Sequence, residues 1–161
     1  MNQSIVLNAM LHYRGGIKED REYTVVTSVG NFIHQKIRNQ LVINIYVDGG
    51  TRGSRICLVD RMKDLTVVKT RNGELTNNEL EYLALLYALE YIRNQKSYQN
   101  KDINIYSDSK LIVNQVNGGW RVTTEKLIPL YKKCREKFSD NITLKWVPRE
   151  KNFAGFVLED K

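Results

Sequence analysis

The chain has 161 residues, of which 42% are hydrophobic and 27% charged, a size and balance suited to one soluble domain with a sizeable core. No apolar run approaches the roughly 20 residues of a membrane span, and Met1-Asn2-Gln3-Ser4 lacks the basic and apolar run of a secretory leader; the expectation is a cytoplasmic protein with no membrane partner. Cys57 and Cys134 are too few for a disulfide framework or a zinc cage and are read as free thiols, while the net charge of +7 is mild support for a polyanionic partner.

In chain order, residues 1–40 read as an N-terminal extension. Residues 5–13 and 22–29 have the β-branched and aromatic content of strands, Arg14-Gly15-Gly16 supplies a turn, and a short helix or loop is expected over 31–40. His12 and His34 lack acidic or cysteine companions at ligand spacing and are read as ordinary surface or packing residues.

From residue 41 onward the pattern is that of a mixed α/β sheet. Residues 41–48 form an almost continuously apolar central strand, followed by antiparallel strands over 54–60 and 65–70. A strong helix is expected over 77–94, then a strand over 102–108 and a short helix over 109–116, broken by Gly118-Gly119. An amphipathic helix is expected over 123–138, then a strand over 141–147 ending at Pro148, and a last short helix from near Asn152. Trp146 lies inside the last strand and is read as core.

Two of these strands say nearly the same thing: Ile43-Asn44-Ile45-Tyr46-Val47-Asp48 and Ile103-Asn104-Ile105-Tyr106-Ser107-Asp108. Strand side chains alternate faces, so Asn44, Tyr46 and Asp48 share one face, as do Asn104, Tyr106 and Asp108. If the strands are parallel neighbours, both aspartates reach one edge of one sheet. Like charges held that close repel unless a cation lies between them. Two strands ending in turn-forming aspartates is the plainer alternative.

A third carboxylate comes from the long helix. Thr76-Asn77-Asn78-Glu79 fits a capping box, which gives Glu79 a structural task. Glu81 instead falls in line with Ala84, Leu85, Ala88 and Ile92, an apolar stripe whose alanines permit close approach to a sheet. A carboxylate on a buried face needs a partner; the alternative is a Glu81 at the stripe's edge reaching solvent. Glu90, Glu74 and Asp64 read as solvated charges. Asp48, Glu81 and Asp108 offer only hard oxygen ligands, which suits Mg²⁺, with Mn²⁺ as a substitute, and not Zn²⁺. Carboxylates holding two such ions about 4 Å apart suit in-line displacement at a phosphodiester.

Four segments carry a resemblance: Tyr46-Val47-Asp48-Gly49-Gly50-Thr51-Arg52-Gly53, Thr76-Asn77-Asn78-Glu79-Leu80-Glu81-Tyr82-Leu83-Ala84, Tyr106-Ser107-Asp108-Ser109 and Trp146-Val147-Pro148-Arg149-Glu150-Lys151-Asn152. In this order, the chain resembles the type 1 ribonuclease H family over about three quarters of its length, from Leu41 to about Glu159. The resemblance implies a ribonuclease H-like catalytic domain over 41–161, with a five-stranded mixed sheet in the order 3-2-1-4-5 flanked by helices. It implies Mg²⁺-dependent cleavage of the RNA strand of RNA/DNA hybrids, leaving 5′-phosphate and 3′-hydroxyl ends; a monomer is expected, with no obligate protein partner evident in the sequence. By motif, Asp48 matches the bridging metal ligand, Glu81 a ligand of the second ion near the RNA 2′-hydroxyl, and Asp108 a ligand that also positions water. Gly49, Gly50, Thr76, Asn77, Asn78 and Ser109 match substrate-contacting positions. Minor-groove and 2′-hydroxyl contacts suit a hybrid, whose A-like major groove is hard to enter.

The chain also departs from that family. Gly155 stands where a fourth carboxylate usually lies, in Asn152-Phe153-Ala154-Gly155. Glu159 is four residues on, on the same helical face about 6 Å along the axis, and is the candidate substitute in catalysis, against a solvated C-terminal residue. Pro148-Arg149-Glu150-Lys151 holds no histidine where many members have one; Arg149 can touch phosphate but cannot shuttle protons near neutral pH. The basic protrusion of some members is reduced to a short bridge in which Trp120 and Arg121 could stack on or pair with a DNA strand, with packing as the alternative for Trp120. The runner-up function is a weak or inactive module of this fold that binds hybrid or structured nucleic acid without cutting it.

Overall fold

The computed structural model describes residues 23–26, 32–35 and 42–159. The chain divides into two units, Met1–Gln40 and Leu41–Lys161. In the first, β1 (Tyr23–Val26) pairs antiparallel with β2 (Phe32–Gln35), Tyr23 facing Gln35 and Val26 facing Phe32. β1 lies within the expected second strand, and the expected first strand over 5–13 lies outside the described residues. β2 corrects the helix or loop expected over 31–40. Phe32-Ile33 has strand-forming character, but four residues are too few to display alternation.

The second unit is built on five strands: β3 (Ile43–Gly50), β4 (Arg55–Asp60), β5 (Leu65–Thr70), β6 (Ile103–Ser107) and β7 (Ile142–Trp146). Their order is β5-β4-β3-β6-β7, which is 3-2-1-4-5 counted within this unit. β3, β4 and β5 are antiparallel neighbours; β6 runs parallel to β3, and β7 parallel to β6. Four helices accompany them: α1 (Asn77–Arg93), α2 (Lys110–Val116), α3 (Ile128–Lys137) and α4 (Phe153–Glu159). No helix among the described residues is long and apolar enough to cross a membrane.

Each face of the central strand has its own cover. Ile43, Ile45 and Val47 join Leu80, Ala84, Leu85, Ala88 and Leu89 of α1 in the main core. Each large side chain fully buried there contributes about 1.5–3 kcal/mol. On the opposite face, Cys57 and Val59 of β4 pack with Ala154 and Leu158 of α4. α1 begins at the expected capping box: the Glu79 amide donates to Thr76 Oγ1 at 3.3 Å and the Thr76 amide to Glu79 Oε2 at 2.8 Å. α3 starts at Ile128, five residues later than expected. A helix from residue 123 would place Pro129 in its interior, where the ring clashes with the carbonyl four residues back.

Trp146 is a second correction, being 42% exposed. It is the last residue of edge strand β7, beyond the reach of the core that covers Ile142 and Leu144. Its indole N–H donates to the Asp108 carbonyl at 3.1 Å, and Lys110 Nζ lies 4.8 Å from the ring centre.

At the opposite end of β4, Asp60 is fully buried. It accepts from the amides of Met62 (3.0 Å) and Lys63 (3.3 Å) and from the hydroxyls of Tyr91 (2.7 Å) and Tyr98. Both oxygens of its carboxyl group are thus met by donors, which tie the β4–β5 turn to α1 and to the turn that follows it.

The approach of α1 to the sheet is set by one residue. A Cβ at Gly49 would lie 2.3 Å from the Leu80 carbonyl carbon and 2.5 Å from the Glu81 amide nitrogen. The strand and the first turns of α1 are therefore in backbone contact, which only glycine permits. Gly50 has no such constraint, its nearest neighbour being Leu158 Cδ1 at 3.6 Å. Gly49→Ala is expected to destabilise the protein by about 2 kcal/mol or more by forcing α1 outward, whereas Gly50→Ala stays within about 0.5 kcal/mol. Denaturant melts of the two variants measure the difference, and equal effects would contradict it.

Candidate active site

The twin strands are neighbours paired in phase. Asn44 faces Asn104 and Tyr46 faces Tyr106 across the parallel β3–β6 ladder. Like meets like along it. The Asn104 side-chain amide donates to Asn44 Oδ1 at 3.4 Å, and the rings of Tyr46 and Tyr106 stack at 4.8 Å. Two residues further on, the same register delivers Asp48 and Asp108 to one sheet end. Glu81 reaches them from the buried face of α1, whose stripe of Glu81, Ala84, Leu85, Ala88 and Ile92 is buried throughout. One carboxylate oxygen each of Asp48, Glu81 and Asp108 lies within 4.8 Å of the others.

Burial and mutual repulsion act together on these acids. Asp48 is 1% exposed, and its pKa is pushed up to about 6, first by burial and then by Asp108, against the pull of Arg149. Glu81 is pushed up to about 9 by burial, then by Asp48 and Asp108. Its only side-chain donor among the described residues is Asn77, at 3.3 Å. Asp48 Oδ1 is buried with no hydrogen-bond partner among the described residues. Its other oxygen, Oδ2, accepts from Arg149 Nη1 at 3.0 Å, and the same nitrogen donates to Asp108 Oδ2 at 2.8 Å. Asn152 donates to Asp108 Oδ1 (2.8 Å) and to the Val47 carbonyl (3.0 Å), locking Asp108 against β3. A cleft opens beside the acids, lined by Gly49, Gly50, Thr51, Arg52, Arg55, Asn77, Arg149 and Glu159 among others.

A family model described as reverse transcriptase-like matches residues 47–158. The chain belongs to the type 1 ribonuclease H family, within the ribonuclease H-like superfamily. A bifunctional protein of Mycobacterium tuberculosis is 30% identical over 118 residues, covering 67% of this chain and 32% of its own length. The chain therefore spans about a third of the length of the curated relatives it matches. Among solved structures, ribonuclease H1 of the halophilic archaeon Halobacterium salinarum is 28% identical with a TM-score of 0.63, covering 73% of this chain and 93% of its own. The LC11 ribonuclease H1, isolated from compost and solved in complex with an RNA/DNA hybrid, is 30% identical with a TM-score of 0.60, covering 69% of this chain and 88% of its own.

The acids fit the divalent ions that the ribonuclease H family implies. The donors are all oxygen, and Asp48 Oδ1 is an acceptor in the cluster with no partner among the described residues. The buried Asp60 differs, since both of its oxygens have donors. Asp48, Glu81 and Asp108 would hold the metal.

The other ribonuclease H positions fall in different places. Gly49 is buried beneath α1 and Gly50 lines the cleft. The Thr76 hydroxyl is engaged in its cap, donating to Glu79 Oε2 at 2.7 Å, and the cap holds the Glu79 pKa down. Asn77 and Asn78 follow on the first turn of α1, Asn77 exposed and on the cleft wall. Ser109 caps α2, accepting weakly from the Ile112 amide at 3.5 Å. Trp120 is 53% exposed and Arg121 is exposed beside it. Glu159 stands outside the three-acid group and pairs with Arg149 at 2.9 Å.

Asn152, Arg52 and Arg55 were not singled out from the sequence. Asn152 lies in a motif that carries the resemblance, but its hold on Asp108 depends on how α4 starts. Arg52 is exposed on the cleft, and Arg55, also on the cleft, donates to the Leu158 carbonyl at 2.8 Å; both follow Asp48 too closely for spacing to reveal that they face it.

Because folding raises the pKa of both Asp48 and Glu81, the metal-free fold binds protons that the unfolded chain releases. Their contribution to stability is complete below about pH 4 and is lost as pH rises through about 6 for Asp48 and about 9 for Glu81. In chelator, Glu81→Gln is therefore expected to melt above the wild type by a margin that widens from pH 5 to pH 9. Thermal melts across that range check this, and a margin that narrows with pH would contradict it.

Proposed function

We propose that this chain is an endonuclease that hydrolyses the RNA strand of RNA/DNA hybrids, giving 5′-phosphate and 3′-hydroxyl ends. The observation that carries the reading is the convergence of three carboxylates, two of them in buried residues and one with an oxygen that has no partner among the described residues, beside an open cleft. The hybrid-bound LC11 ribonuclease H1 supports the substrate class. Two Mg²⁺ ions, or Mn²⁺ in their place, would supply charge stabilisation and a nucleophile at neutral pH.

The chain's own residues do the positioning. Asp48 and Asp108 come from paired strands and Glu81 from a helix in backbone contact with one of them, so their separation is set by rigid elements. Asn152 fixes the Asp108 carboxylate. Asn77 and Asn78 project from the first turn of α1 beside Glu81, where minor-groove contacts would place the RNA 2′-hydroxyl near that carboxylate. Exposed Trp120 and Arg121 offer a stacking surface and a charge for the DNA strand.

A second reading, a hybrid-binding module that does not cut, is favoured by Arg149, whose guanidinium bridges Asp48 and Asp108. One experiment separates the two. Labelled RNA/DNA hybrid, duplex RNA and duplex DNA are incubated with the protein and Mg²⁺ or Mn²⁺, beside Asp108→Asn. Cutting confined to the RNA of the hybrid, and reduced on the order of a hundredfold in the variant, is expected. Binding of hybrid without cutting in either ion would replace the enzyme with the module.

A further inference from the structure

We propose that Arg149 is a tethered cation that competes with a divalent ion for the carboxylate cluster, seated in the space that Gly155 leaves. The inference rests on reading Asp48, Glu81 and Asp108 as divalent-ion ligands.

The guanidinium is engaged on both edges. Nη1 bridges Asp48 Oδ2 at 3.0 Å and Asp108 Oδ2 at 2.8 Å, while Nε and Nη2 both meet Glu159 Oε1 at 2.9 Å. Three carboxylates from β3, the end of β6 and α4 thus surround one cation. The first two are the acids that a metal would need, and each already gives Arg149 an oxygen.

Gly155 accounts for how the guanidinium gets there. Glycine inside a helix costs about 1 kcal/mol relative to alanine, and Gly155 is not among the glycines with positive φ, so backbone freedom does not explain it. Its surroundings do. A Cβ at this position would lie 3.2 Å from both Arg149 Cζ and Nη1, tighter than ordinary contact. The side chain missing from residue 155 and the guanidinium occupy adjoining space. Where a family member would place a fourth carboxylate, this chain places a positive charge carried by its own residue 149.

The geometry also gives Arg149 a way out. Its side chain is 48% exposed, and Glu159 is 56% exposed. Releasing Nη1 from the two aspartates leaves the other edge of the guanidinium on Glu159, at the rim of the cleft. An incoming divalent ion therefore meets a competitor that moves aside without leaving the site. Without metal, Arg149 offsets part of the repulsion among the acids. With metal, that stabilisation is forfeited, and the apparent affinity falls by the same amount.

The test is Mn²⁺ binding by calorimetry to the full chain, to Arg149→Ala, to Arg149→Gln, which keeps a hydrogen-bond donor without the charge, and to Asp48→Asn. Melting temperatures are measured with and without Mn²⁺. The expected result is a Kd at least about fivefold lower in both Arg149 variants, the low end of typical coupling between ligands. Both should also melt lower than wild type in chelator and gain more from Mn²⁺, and Asp48→Asn should lose binding. Unchanged or weaker binding in both Arg149 variants, with binding still lost in Asp48→Asn, would overturn the competition and leave the metal site standing. No Mn²⁺ bound by any form would overturn the metal site and this inference together.

Discussion

Repulsion among Asp48, Glu81 and Asp108 is the constraint around which this end of the molecule is arranged. Three carboxylates with oxygens within 4.8 Å of one another, two of them in buried residues, work against folding unless protons, a cation or both intervene. The surrounding structure leaves them no room to separate. Parallel pairing of β3 and β6 holds two of them in phase, and the backbone contact at Gly49 holds α1, and with it Glu81, against the strand. Protonation supplies part of the relief, as the raised pKa values of Asp48 and Glu81 show. Arg149 supplies another part.

The two buried aspartates at opposite ends of the sheet show what distinguishes function from structure here. Asp60 accepts from two amides of the β4–β5 turn and from the hydroxyls of Tyr91 and Tyr98, so both of its oxygens have donors. Asp48 is equally buried but has an oxygen with no partner among the described residues. A buried carboxylate satisfied at one end of the sheet and unsatisfied at the other, among the described residues, would suit a cation at the second. The same contrast bears on the departures from the family. Gly155, where the resemblance implies a carboxylate, lies beside the Arg149 guanidinium, which is 3.2 Å from where a Cβ at residue 155 would stand.

Much of this was legible in the sequence because the site lies on regular elements. Period-two alternation placed Asp48 and Asp108 on matching faces, and the repeated Ile-Asn-Ile-Tyr motif anticipated the register in which they pair. Period 3.6 put Glu81 on the buried stripe of α1, and the capping box located its first turn. What was not legible depends on three-dimensional packing or on short segments. Trp146 has the identity of a core residue, but it ends an edge strand and is exposed. The late start of α3 follows from Pro129, a local rule that the apolar pattern obscured. The hold of Asn152 on Asp108, and of Arg149 on three carboxylates, joins residues 41 to 101 positions apart as well as near ones, which spacing along the chain does not reveal.

The central claim is that Asp48, Glu81 and Asp108 are brought together to hold a divalent cation. Its most direct test is an anomalous-scattering map of crystals grown with Mn²⁺. The account predicts a manganese peak bounded by these three carboxylates, with Arg149 drawn back toward Glu159. Saturating Mn²⁺ with no peak at Asp48, and Arg149 still bridging Asp48 and Asp108, would contradict it.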